Sequence, residues 1–302
     1  MGLPERRTGM IDRDLAVFPG WQLGTQSQQK RIDRRDLLGA IARAERAPLG
    51  EPELDVLTWI TQEWFDQGSS IDGRVRFTLY TLGSDLYGGG RAGWAPSGRY
   101  RELMREAIDN LHAVVVTLRS VNVLTGEHER TLRSKVHILE AVVDHEQVQL
   151  FRDAGAANAA AVGALRGDTV EAKIADWLVH QLLSGPVVLD WRTQRKLAGA
   201  AKRLWYELSA HAGDFSATAF PGQQELVLPL TAEFYTAMNL QAARERDNRA
   251  ALMSAAKRVV AADATYRTVD VVRAEDGYVL RVVRCDDSLD GVVEGSAVEL
   301  ER

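Results

Sequence analysis

The side chains best equipped to do chemistry here are cations set in two helical runs. Ser97, Arg99, Arg101 and Arg105 stand in PSGRYRELMREAIDNL, and Arg244, Arg246, Asn248, Arg249 and Lys257 stand in ARERDNRAALMSAAKRV. A guanidinium matches the O6/N7 edge of guanine with two parallel hydrogen bonds, and a carboxamide matches the N6/N7 edge of adenine. Each run is followed by an extended segment with further cations, Arg119, Arg130, Arg133 and Lys135 after the first and Arg267, Arg273 and Arg281 after the second. Cations on extended segments suit phosphates, which fix register without reading sequence. The chemistry implied is recognition of a duplex rather than the making or breaking of bonds.

Bond-breaking chemistry lacks its parts. Nicking DNA calls for a His-x-His metal pair and a tyrosine nucleophile, yet none of His112, His128, His137, His145, His180 and His211 lies two residues from another. The glycine-rich GGGRAGWAP is without the Gly-Lys-Ser/Thr ending that holds β- and γ-phosphates and magnesium, and reads as a turn between helices. No Gly-x-Ser-x-Gly elbow occurs. The single cysteine, Cys285, allows neither an internal disulfide nor a cysteine metal cluster. The expectation is a protein that is not an enzyme and uses no cofactor or metal.

The elements that must position these residues follow from periodicity. Pro52 to Gln67 spaces Leu54, Leu57, Ile60, Trp64 and Phe65 as a helix stopped by Gly68, with its tryptophans as core. Arg74 to Phe77 reads as a strand, and Thr78 is placed to cap a helix over 79–86. Tyr100, Leu103, Met104, Ala107, Ile108 and Leu111 then form one apolar stripe. From Val114 the pattern becomes extended and turns at Leu124-Thr125-Gly126-Glu127. Helix, turn, helix and hairpin together make a winged helix-turn-helix, whose second helix enters the major groove while the hairpin follows the phosphates.

The second half repeats that order without detectable identity. Val170, Ala172 and Ile174 alternate as a strand, although Asp168 and Glu171 also fit a helix start. A helix through Trp177 to Leu183, a strand over 187–189 and a helix from Lys196 to His211 come next. Thr231 is placed to cap a short helix over 232–238, a longer helix spans 242–262, and a hairpin from Tyr266 to Arg284 turns at Glu275-Asp276-Gly277. The expected class is α+β, with two tandem winged helix-turn-helix domains over 51–151 and 169–285. A flexible N-terminal arm (1–50), with one amphipathic piece near 36–44, precedes them. An Ala/Gly linker (152–168) joins them, and an acidic C-terminal tail (286–302) follows.

The chain of 302 residues is 45% hydrophobic and 26% charged, ordinary for globular protein. Its net charge of −5 equals that of the tail alone, where six acids face Arg302. A neutral body with local cationic faces is compatible with DNA binding, since the local field decides. The tail either folds over a basic hairpin, offers a handle to a partner, or serves solubility. No apolar run approaches the ~20 residues of a membrane span, and MGLPERRTGMIDRD is followed by no secretory apolar stretch. A cytoplasmic location, with no membrane partner, is expected.

Three segments carry a resemblance: VRFTLYTLGSDL, PSGRYRELMREAIDNLHAVVVTL, and IADWLVHQLLSGPVVLDWRTQRKLAGAAKRLWYELSAHA. Over roughly Pro52 to Val283 they resemble plasmid replication-initiator proteins of the RepA/TrfA-like tandem winged-helix kind. Ser97-Gly98-Arg99-x-Arg101-x-Leu103 is the most telling piece, followed by Ala201-Lys202-Arg203-Leu204-Trp205. The resemblance implies binding to repeated origin sequences in double-stranded DNA, local origin opening and recruitment of host replication proteins such as a helicase or its loader. It also implies a homodimer formed through the first domain and association with a plasmid or nucleoid. The chain departs from the pattern in its Ala/Gly insertion and acidic tail. Two other classes fit the same elements, a winged-helix transcriptional regulator binding a palindrome as a dimer and an interaction module that binds no DNA.

Overall fold

The computed structural model describes residues 8–16, 34–35, 41–42, 49–88, 96–120, 132–145, 169–220, 222–240, 242, 244–275 and 277–285. They divide into two units, Met1–Gly199 and Ala200–Arg302. In chain order the first holds β1 (Thr8–Ile11), α1 (Arg13–Ala16), β2 (Arg34–Arg35), β3 (Ile41–Ala42), α2 (Glu51–Asp66), β4 (Arg74–Thr78), α3 (Leu79–Tyr87) and α4 (Gly98–Ala113). It continues with β5 (Val115–Ser120), β6 (Leu132–His137), β7 (Leu139–His145), β8 (Thr169–Ile174), α5 (Asp176–Ser184), β9 (Val187–Asp190) and α6 (Trp191–Lys196).

Helix α2 forms where its apolar period demands and buries Leu54, Leu57, Trp59, Ile60 and Trp64. Both indoles lie in the core with their N–H groups satisfied, Trp59 donating to Asp85 Oδ2 at 2.9 Å and Trp64 to the Ser70 carbonyl at 2.9 Å. Glu53 closes the helix start by accepting from the Gly50 amide at 2.7 Å. Its other oxygen accepts from Asn110 Nδ2 at 2.9 Å, fastening α4 to α2. Thr78 caps α3 as the sequence predicts, its hydroxyl accepting from the Thr81 amide at 3.0 Å. The order α2, β4, α3, α4, β5, β6 is that of a winged helix.

The N-terminal region departs from the expected flexible arm. Strand β1 pairs antiparallel with β9, and Ile11, Leu15 and Leu49 are buried. The amphipathic piece expected near 36–44 holds, where residues are described, the strand β3, which pairs with β2 and β5.

The domain boundary also moves. The expected linker at 152–168 lies outside the described residues, but 169–199 belong to the first unit rather than opening the second. Strand β8, the reading that alternation favoured over a helix start, inserts between β4 and β7 in the order β4-β8-β7. Gly73, just before β4, has φ +70, and an added Cβ would lie 2.4 Å from the Ile174 carbonyl oxygen at the end of β8. Only glycine permits that approach. Helix α6 is held in the same unit: Trp191 is buried with its indole N–H on the Asp85 carbonyl at 3.2 Å, and Gln194 donates to Asp55 at 2.7 Å.

The second unit runs α7 (Ala200–Ala210), a 3-10 turn (Ala212–Asp214), β10 (Ser216–Ala217), β11 (Gln223–Pro229), α8 (Ala232–Ala237), α9 (Glu245–Ala262), β12 (Tyr266–Ala274) and β13 (Gly277–Cys285). The helix expected over Lys196 to His211 starts later, at Ala200, and Lys196 is instead the last residue of α6. The sheet order β10-β11-β13-β12 sets the hairpin beside the lone strand, the winged-helix arrangement. Leu252, Ala255, Ala256 and Val259 of α9 are buried, as are Leu204, Trp205 and Leu208 of α7. Trp205 donates to Asp263 Oδ2 at 2.7 Å, tying α7 to the end of α9. Fully buried Arg203 donates to the Ala237 carbonyl at 3.0 Å and lies 3.8 Å from Glu207, so its charge is met at both ends. The fold is α+β; the first unit keeps the helix, strand, helix, helix, hairpin order, but its β4 pairs with β8 rather than with the β5–β6 hairpin.

Candidate nucleic-acid interface

The second unit assembles the more complete cationic face. Thr231 starts α8 by accepting from the Phe234 amide at 3.2 Å, and Asn239 takes the left-handed conformation (φ 56) that turns the chain toward α9. Asn248 then fixes the start of α9. It is only 8% exposed, accepts from the Ala242 amide at 2.8 Å and donates to the Ala242 carbonyl at 3.4 Å. The expectation that Asn248 reads adenine is corrected on that ground, because its carboxamide is spent on backbone groups.

With Asn248, Leu252, Ala255 and Val259 facing the core, the opposite side of α9 is set by helical geometry. It carries Arg246 and Lys257, both exposed, with Arg244 exposed at the helix start. Arg246 is 69% exposed and lies 3.4 Å from neighbouring Asp247. Arg249 lies at the flank: its guanidinium sits 3.9 Å from the Tyr278 ring centroid and donates to Glu245 at 2.6 Å.

The hairpin sorts its arginines by face. Val269 opposes Val282 and Val271 opposes Leu280 on the core side, and the same alternation places Arg273 opposite Tyr278. Arg273 therefore lies on the side of the hairpin that meets α9. Arg281 opposes Asp270 on the other side and is bound to Glu225. That ion pair weighs against the phosphate role expected of Arg281. Arg267 is exposed beside the irregularity between Tyr266 and Thr268.

The first unit is built differently. Met104, Ala107, Ile108 and Leu111 of α4 are buried, as the stripe predicts, while Tyr100 stacks on Tyr87 with centroids 4.9 Å apart. Ser97 and Arg99 are exposed at the start of α4, and Arg101 and Arg105 are half-buried along one flank. The ridge opposite the core is Glu102, Glu106 and Asp109, all exposed. Cataloguing only the arginines overlooks this ridge, although i, i+4, i+7 spacing reveals it. Along most of its length α4 presents acid rather than base, leaving Arg99 as the exposed cation of its first turn. Arg119 pairs with Arg133, and Lys135 with Thr117, in the backbone register of β5 and β6. Arg130 lies outside the described residues, as does most of the glycine-rich turn.

A cavity of about 690 Å³ adjoins the helix-turn-helix of the second unit, lined among others by Leu230, Tyr235, Asn248 and Tyr278. Burial, with Glu245 nearby, raises the Tyr235 phenol above its ordinary pKa. Among the described residues, no three or more His, Cys, Asp or Glu side chains are grouped to hold a metal ion, and no helix is long and apolar enough to cross a membrane.

No protein-family model matches the sequence, and no curated protein matches it. The fold is similar to that of a crystal structure of domains 2 and 3 of RctB, with a TM-score of 0.54 and 12% identity. The match covers 90% of this chain and 98% of that one. At that identity the likeness is one of fold, and no comparison assigns the chain to the RepA/TrfA-like family.

Proposed function

We propose that the protein is a sequence-specific, double-stranded-DNA-binding replication initiator whose second unit is the principal reader. The observation that carries this reading is the outward side of α9, where Arg246 and Lys257 stand exposed, with Arg273 exposed on the hairpin that follows. In a winged helix that side enters the major groove and the hairpin meets the backbone. The likeness in fold to domains 2 and 3 of RctB is compatible with this reading. The protein binds repeated origin sequences, helps open the origin and recruits host replication proteins such as a helicase or its loader. It acts without catalysis or cofactor, in the cytoplasm, with homodimers formed through the first domain.

The acidic ridge of α4 favours a division of labour. Glu102, Glu106 and Asp109 would be repelled by phosphate, so the first unit meets DNA through Arg99 and the β5–β6 hairpin at most. The same ridge favours the second reading, in which that unit is a protein-interaction module.

The deciding experiment selects duplexes from a random pool with the full chain and titrates the winners against salt. Affinity that falls steeply with salt, together with recovery of a common repeated motif, fits the proposal. Absence of salt-dependent binding to any duplex sinks it.

A further inference from the structure

The outward side of α9 holds more than charge. Arg246, Ala250, Met253 and Lys257 follow one another at i, i+4, i+7 and i+11, and all four are exposed. Met253 is 45% exposed and belongs to no core, since the buried residues of α9 lie on the opposite side. A large apolar side chain between two cations, on the helix proposed to enter the major groove, needs an apolar partner that lies among negative charges. One group in duplex DNA answers to that description, the 5-methyl of thymine, which stands in the major groove and is read by apolar contact.

We propose that Met253, with Ala250 one turn before it, is a specificity-determining contact to a thymine methyl, flanked by Arg246 toward one side of the site and Lys257 toward the other. This rests on the DNA-reading function proposed above and adds a base identity to it. The flexible thioether suits the task, because an unbranched side chain adapts to a methyl whose position shifts with local duplex shape. Neither hydrogen-bond donors nor acceptors are spent. The discrimination is thus against cytosine and against thymine lacking its methyl, and is insensitive to salt.

The test uses the full chain and a duplex that it has itself selected from a random pool. Each thymine of the selected motif is replaced in turn by deoxyuracil, which removes the methyl and leaves pairing intact. Wild type is expected to lose about fourfold in affinity at one position, the worth of one buried carbon. Met253→Ala is expected to bind the thymine duplex about fourfold more weakly and to show no further loss with deoxyuracil at that position. Met253→Leu, which keeps the apolar surface, is expected to retain the discrimination. Full discrimination surviving in Met253→Ala overturns the inference while leaving the proposed function intact, as does indifference of wild type to deoxyuracil at every position. A change in self-association of the DNA-free chain on Met253→Ala, without change on DNA, also overturns it by assigning the residue to a protein contact. If wild type selects no duplex at all, the proposed function falls and this contact with it.

Discussion

The guanidinium of Arg249 lies 3.9 Å from the centroid of the Tyr278 ring, clamping the second turn of α9 to the start of β13. Its Nη1 also donates to Glu245 at 2.6 Å, four residues back on the same helix. A cation over an aromatic face contributes about 0.5–1 kcal/mol at a partly exposed site, and an i,i+4 ion pair about 0.3–0.5 kcal/mol. Arg249→Ala is therefore expected to destabilise the second unit by roughly 1 kcal/mol. Tyr278→Leu in the same chain should add less than it does alone. Urea unfolding of the two single variants and the double variant measures the coupling. Strict additivity would mean that the stack contributes nothing.

Charge placement leads to a second expectation, which separates the hairpin's arginines. Lys257 is exposed on the outward side of α9 and Arg273 on the hairpin face that meets α9, whereas Arg281 opposes Asp270 and is held by Glu225 on the hairpin's other face. Each phosphate contact removed should make the salt slope of binding shallower by about one unit. Lys257→Ala and Arg273→Ala are expected to do so, and Arg281→Ala to leave the slope unchanged. Fluorescence anisotropy over a range of potassium chloride concentrations provides the readout. Equal slopes for all three variants and wild type would refute the sorting.

The His211 imidazole should give the second unit a pH dependence. It lies 3.5 Å from Glu207 and 2.6 Å from Asp214, and the Glu207 interaction, above all, raises its pKa over the ordinary 6.5. Because the folded-state value is the higher one, the pair's stabilisation is fully present below pH 6.5 and is lost as pH rises through the folded pKa. Unfolding midpoints of the second unit should accordingly decline over the window just above pH 6.5, and His211→Asn should flatten that decline. A variant with an unaltered pH profile would show that His211 titrates as it does in the unfolded chain.

Local pattern made much of this legible and distant pairing made the rest obscure. The stripe of α4, the Thr78 and Thr231 caps and the hairpin turn before Gly277 all follow from residues within a few positions of each other. The insertion of β8 between β4 and β7, and the pairing of β1 with β9, join residues far apart in sequence, about which periodicity says nothing. The chemistry of Asn248 suits adenine and a helix start equally well, and only its burial separates the two. Met253 is illegible for the opposite reason. Apolar residues in a helix are assigned to core by default, and its outward position emerges only once Leu252, Ala255 and Val259 are seen to take the inner side.

The reassignment of residues 169–199 to the first unit carries the last prediction. Trp191 is buried against that unit, where a Cβ on Gly9 of β1 would come within 2.8 Å of its ring and 2.7 Å of Thr58 in α2. Its indole N–H reaches the Asp85 carbonyl at the end of α3. Replacing a buried tryptophan by alanine costs about 3–5 kcal/mol, and that cost must fall on whichever unit the ring supports. Trp191→Ala should lower hydrogen-exchange protection in α2, β4 and β8 while α7 and α9 keep theirs. Gly73→Ala, by driving a Cβ into the Ile174 carbonyl, should act on the same amides through β8. If either substitution loosened α7 and α9 and left α2 untouched, residues 169–199 would have to be returned to the second unit.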